Sequence, residues 1–214
     1  PAYLRPGAEQ PWPRMHARAR VLELSDLAKE RSIRRAKKDG AKVARVGVSP
    51  TDGAAFAFEY AFEVKRMGRY GRVSLSLEQA EDPAAVSLEL YRGDGESRGF
   101  LEMSAQTSNR QFVEETLAHG IGVGDRIKVE LLHLPDEYLR ARLVDASSGE
   151  VLWDTGELPM EGTIAFNQIK FQVRADRESA IIVWDDDGLR LRGVGGAGRG
   201  IDLMLSDMRV TLAE

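Results

Sequence analysis

The stretch AAFAFEYAFEVKR, residues 54–66, limits what this chain can fold into more than any other segment. Phe56, Phe58, Tyr60, Phe62 and Val64 recur at every second position, with Glu59, Glu63 and Lys65 in the alternate set. A helix would scatter those five apolar side chains around its circumference, whereas a pleated strand gathers them on one face. The period predicts a long strand with an aromatic core face and a polar opposite face.

The same period recurs down the chain. It runs through GRVSLSLEQ (71–79), AAVSLELYR (84–92), GFLEMS (99–104), IKFQVRA (169–175) and IDLMLSDMRVTLA (201–213), and AIIVWD (180–185) adds a continuous apolar run that also predicts a strand. RIKVELLHL (126–134) and EYLRARLVDA (137–146), separated at Pro135-Asp136, predict a hairpin, and SSGE then turns the chain into VLWD (151–154). With ARARVLEL (17–24) this makes about twelve short strands, the pattern of a sandwich or barrel. No segment repeats at a fixed period, which argues against a propeller or β-helix.

The N-terminal portion differs. PAYLRPGAEQPWPRM carries four prolines within thirteen residues and predicts an extended arm. SDLAKERSIRRAKKDG (25–40) predicts a short helix, with Ser25 or Asp26 as N-cap, basic residues in its last turns and Gly40 as its stop. The expected organisation is an arm plus basic helix over 1–40 and a β-sandwich over 41–214. A start at Pro1 is what removal of a leader or upstream domain would leave.

Charge is distributed along the same division. Residues 1–45 hold 12 Lys/Arg against 5 Asp/Glu, while the whole chain carries a net charge of −4. A basic arm on an acidic body fits an acidic partner surface. Nucleic acid is the weaker partner, because the arm offers only Tyr3 and Trp12 for base stacking. No apolar run reaches the ~20 residues that span a bilayer. Cysteine is absent, so disulfides, thiolate metal sites and a cysteine nucleophile are excluded.

FAFEYAFEVKR, VGDRIKVELLHLPDEYLRARLVDASSGEVLWDTG and FQVRADRESAIIVWDDDGLRL, in that order, resemble successive strands of the concanavalin A-like lectin/glucanase and laminin-G-like superfamily. The resemblance covers roughly residues 40–213 and implies an antiparallel jelly-roll sandwich. It also implies a role for a late-strand aspartate, Asp185 or Asp187, in holding a structural Ca²⁺. The hydrolase branch of that group carries paired carboxylates on one strand, and no such strand is found here. Glu59 and Glu63 share a face but stand about 13 Å apart along it, beyond the separation either glycosidase mechanism uses.

The remaining candidates each have two readings. In IIVWDDDG, strand parity sends Asp185 and Asp187 to one side and Asp186 to the other. The run is then either a two-aspartate calcium position or a tight turn, with Gly188 at positive φ. Gly193-x-Gly195-x-x-Gly198 has nucleotide-fingerprint spacing, but a strand pattern follows it where a helix is required, so a loop is expected. His16, His119 and His133 lack metal-ligand spacing. His133 with Tyr138 is the one lyase-like pair. For a sugar face, Trp153, Trp184, Tyr91 and Tyr138 are the candidate stacking rings.

These readings lead to a non-catalytic binding module, carbohydrate-binding or laminin-G-like, with no catalytic residue assigned and Ca²⁺ the one cofactor considered. Two alternatives stand beside it. One is an accessory subunit docking onto a larger assembly, including a membrane-associated one, through the arm. The other is a polysaccharide-active enzyme. The ligand is expected to be a glycan or a protein surface, with a secreted or periplasmic setting favoured.

Overall fold

A computed structural model describes residues 20–23, 41–48, 51–79, 85–174, 180–185, 188–194 and 198–213. The predicted arm and the predicted helix over 25–40 lie outside the described residues, and among the described residues there is no helix.

Among the described residues, fifteen strands form two antiparallel sheets. The smaller sheet contains β2 (Ala41–Gly47), β4 (Arg72–Glu78), β5 (Val86–Tyr91), β6 (Gly99–Gln106), β7 (Phe112–Ile121) and β12 (Gln168–Arg174), in the order β2-β12-β4-β5-β6-β7. The larger is built from β3 (Phe56–Met67), β8 (Arg126–Leu134), β9 (Tyr138–Asp145), β10 (Val151–Asp154), β13 (Ala180–Asp185), β14 (Gly188–Val194) and β15 (Gly200–Leu212). Its order is β10-β9-β8-β3-β15-β14-β13, with β1 (Arg20–Glu23) added to β15 and β11 (Leu158–Pro159) to β9.

The register explains why the two sheets face each other. Phe171 lies between Ala44 and Leu75, Leu75 opposite Leu88, and Leu88 opposite Met103, so one apolar row crosses five strands of the smaller sheet. On the larger sheet Val210, Phe58, Leu131 and Ala141 form the matching row. Each of these side chains is buried, and each large one removed from water contributes roughly 1.5–3 kcal/mol. The 54–66 pattern is therefore the centre of the larger sheet, its rings Phe58, Tyr60 and Phe62 stacked in sequence toward the core. Burial raises the Tyr60 hydroxyl pKa, so that group stays protonated.

β13 and β14 pair as antiparallel neighbours, with Asp185 opposite Gly188. Gly188 has φ 137°, and a Cβ there would stand 2.1 Å from the Leu205 carbonyl oxygen. Only glycine allows β14 to begin so close to β15.

A segment without strands, residues 160–167, closes one end of the sandwich as a strap. The Ile164 N–H donates to His133 Nε2 at 3.1 Å, and the Phe166 N–H donates to the Thr51 hydroxyl at 3.0 Å. The Gly162 N–H donates to Asp136 Oδ1 at 2.8 Å, and the Asp136 N–H donates back to the Gly162 carbonyl at 3.1 Å. These bonds satisfy a buried irregular backbone that has no ladder of its own.

Candidate binding face

The apolar set of the smaller sheet uses every second residue, so the alternate residues define an outer face. One row of that face runs Lys170, Ser76, Ser87, Ser104, Glu114. The next runs Gln172, Ser74, Glu89, Glu102, Thr116. The third runs Arg72, Tyr91, Phe100, His119. Successive rows are two residues apart, roughly 7 Å along the strands. Serines dominate the middle of the face, Ser74 and Ser76 buried and Ser87 and Ser104 half-buried, so a trough of short side chains runs across the strands between longer ones.

One wall is aromatic. Tyr91 and Phe100 stack with ring centroids 5.8 Å apart, and His119 meets Phe100 edge-on at 5.0 Å. The Arg72 guanidinium covers the other side of Tyr91, 5.0 Å from its centroid. The Tyr91 hydroxyl donates to Glu102 at 2.7 Å, and that bond to a carboxylate pushes the phenol up to about 12.

The other wall is ionic. Glu78 is only 6% exposed and accepts from Gln168 at 2.8 Å, from Arg45 at 3.2 Å and from Lys170 at 3.3 Å. Phe112 ends that side of the sheet: it pairs with Gln106 and is 59% exposed, the most exposed aromatic ring among the described residues. On the floor Ser76 and Ser87 share a hydrogen bond at 3.3 Å, and Arg72 pairs with Glu89 at 3.1 Å.

The four rings named from sequence do not converge. Tyr91 stands in the aromatic wall of this face. Trp153 is 5% exposed and packs in the core opposite Leu143, its indole N–H without a partner. Tyr138 begins β9 on the other sheet, out of phase with core-facing Leu139, and so lies on the far side of the molecule. Trp184 occupies the register position opposite Leu189; its side chain is outside the described residues. The same holds for Asp185, and Asp187 lies outside them altogether. Among the described residues no three His, Asp or Glu side chains are grouped to hold a metal.

His133 and Tyr138 do not form a lyase pair. His133 is 0% exposed and packs on Phe56; its Nε2 accepts from Ile164, and Nδ1 lies 3.4 Å from the Tyr138 carbonyl rather than its phenol. Burial lowers its pKa, so the imidazole is neutral and structural. Glu59 and Glu63 lie on the outer face of the larger sheet within a lattice of charge. Lys128 bridges Glu59 at 2.8 Å and Glu130 at 2.7 Å, while Arg142 also reaches Glu130. Burial pulls the Lys128 pKa down, but its two carboxylate partners outweigh that and raise it.

Phe100, His119 and Phe112 are the rings of this outer face that the sequence did not single out. Parity carries the signal for Phe100: in GFLEMSAQ, Leu101, Met103 and Ala105 form the core set, which puts Phe100 with Glu102 and Ser104 on the outside.

No family model matches this chain, and no curated protein matches it. Solved structures do. The chain is similar to the HCR/D W1238A mutant at a TM-score of 0.51 and 10% identity, over 83% of this chain and 39% of that one. It is also similar to the CBM2 module of Lactobacillus casei BL23 phage J-1 evolved Dit, at TM-score 0.48 and 12% identity, over 80% and 68%. The alginate lyase from Klebsiella pneumoniae follows at 0.44 and 11%, over 76% and 61%. The chain thus spans less than two thirds of the HCR/D and lyase chains. At such identities the likeness is one of fold, and the fold is an antiparallel sandwich of the concanavalin A-like jelly-roll type.

Proposed function

We propose that this chain is a non-catalytic carbohydrate-binding module whose ligand lies across the outer face of the smaller sheet. The observation that carries the reading is the side-by-side arrangement of serine, glutamine and carboxylate rows with the Tyr91–Phe100–His119 wall. A pyranose needs both: directional partners for its hydroxyls and an apolar surface for its C–H face. Glu89 and Glu102 accept hydroxyl protons in charge-assisted bonds, and the serines both donate and accept.

The wall also explains why binding is favoured over elimination chemistry on this face. A lyase would need its Tyr and His at one carbon, and here Phe100 stands between Tyr91 and His119. The phenol is held protonated by Glu102, which makes it a poor base at neutral pH. Screening the protein on a glycan array, followed by titration of hits against Tyr91→Ala and Phe112→Ala, tests the reading. Binding that weakens in both variants supports it. Binding that is indifferent to both would move the site elsewhere, and no binding to any glycan would refute the module.

A further inference from the structure

We infer that the trough selects neutral, hydroxyl-rich glycans and discriminates against uronate-bearing ones, an inference that rests on the proposed glycan-binding face. The argument is the state of the cations along it. Arg45 and Lys170 are both committed to Glu78, and Arg72 is committed to Glu89 while it covers the Tyr91 ring. Arg174, at the end of β12, donates through its Nε to the Gln172 amide oxygen at 2.9 Å. Among the described residues, four carboxylates of the outer face oppose these four cations, Glu78, Glu89, Glu102 and Glu114, and the two sets balance.

A sugar carboxylate entering the trough would meet acceptors. The floor offers serine hydroxyls, and Glu89 and Glu102 lie opposite each other in the next row. To gain a cation among the serines, the ligand would have to draw Arg45 or Lys170 from the nearly buried Glu78 that the two share, or take Arg72 from both Glu89 and the Tyr91 ring; Arg174, beside a neutral amide, stands apart at the end of β12. A neutral sugar meets no such obstacle. Its hydroxyls donate to the carboxylates and accept from Gln172 and the serines without breaking any pair. Discrimination here comes from pre-paired charge, a repulsive device built into the surface.

The test is affinity electrophoresis in native gels at low ionic strength. Soluble xylan, galactomannan and mixed-linkage β-glucan serve as neutral probes, with polygalacturonate and alginate as uronate probes. Retardation by at least one neutral polysaccharide and by neither uronate is the expected result. Glu78→Gln removes the negative charge paired with Arg45 and Lys170, and Glu89→Gln, at a more exposed position, removes the one paired with Arg72. Each variant should gain uronate retardation, by about tenfold in affinity where two cations are released and less where one is, and the gain should disappear as salt rises. Glu89→Gln keeps the test open if Glu78→Gln folds poorly. Wild-type protein that prefers polygalacturonate or alginate over every neutral probe overturns the selectivity while leaving the binding face in place. Failure to bind any probe overturns the binding face itself, and uronate binding unchanged in both variants overturns the role given to the paired cations.

Discussion

Replacing Asp154 offers a sharp test of how the larger sheet is held at its edge. Arg140 of β9 and Asp154 of β10 form a bidentate pair, with Arg140 Nε 2.8 Å from Oδ1 and a second bond between the outer guanidinium nitrogen and Oδ2. The two side chains are 2% and 5% exposed. Asp154 Oδ1 also accepts the Gly156 N–H at 2.9 Å, which fastens the turn after β10. Asp154→Ala would leave a guanidinium out of water with its carboxylate gone, and breaking such a buried pair costs about 3–5 kcal/mol. For a domain of this size each kcal/mol lowers Tm by roughly 2–4 °C, so a fall of about 6–20 °C is expected. Replacing both partners together, Arg140→Met with Asp154→Leu, removes the charge and keeps the volume. The double variant should recover most of the loss. Urea unfolding of wild type, both single variants and the double variant, with m-values compared, provides the measurement. A single variant that loses less than about 1 kcal/mol would refute the reasoning, because that is the size of a solvated surface pair.

Other outcomes follow from the same geometry. Burial lowers the pKa of His133, so the folded chain binds fewer protons there than the unfolded chain does. Its contribution is whole above the ordinary histidine value of about 6.5 and is lost as pH falls through that value toward the lowered one. Urea titrations at pH 7.5 and 5.5 should show this loss in wild type and a smaller pH difference in His133→Gln. Gly188→Ala places a Cβ against the Leu205 carbonyl at positive φ and should cost at least about 1–3 kcal/mol by thermal denaturation. Phe112→Ala removes a 59% exposed ring and should leave Tm within about 1–2 °C of wild type while weakening glycan binding. If DDDG serves only as a hairpin connection, adding EGTA leaves Tm unchanged; a drop would restore the calcium reading of Asp185 and Asp187.

Sequence alone reveals the sheets best where burial is one-sided. RIKVELLHL matches β8 over its full span, where Ile127, Val129 and Leu131 alternate, while VLWD and AIIVWD match β10 and β13 as short continuous apolar runs that end at an aspartate. Four strands escape that signal for separate reasons, and one of them, β11, is only two residues long. β2 interleaves small or short apolar residues with basic ones and was overshadowed by the basic segment before it. β7 is an edge strand whose half-buried FVEETLAHGI carries a register shift, so no clean alternation survives. β14 hides in a glycine-rich stretch, where Leu189 and Leu191 alternate with arginines. The binding face was less readable still. Tyr91 was visible as a ring in a polar strand, but its neighbours Phe100 and His119 come from strands 9 and 28 residues away in sequence, and only cross-strand register unites them. Trp153 looked like a rim ring beside Asp154, whereas strand pairing turns it inward with Leu143.

The most direct test of the account is isothermal titration of wild type and Phe100→Ala with the best neutral glycan from the array. Phe100 holds Tyr91 and His119 in one wall, so its loss should weaken binding by about tenfold or more, the effect of losing about 1.4 kcal/mol of contact, with the fold intact by circular dichroism. Equal affinity in the two proteins would contradict a ligand lying across the outer face of the smaller sheet.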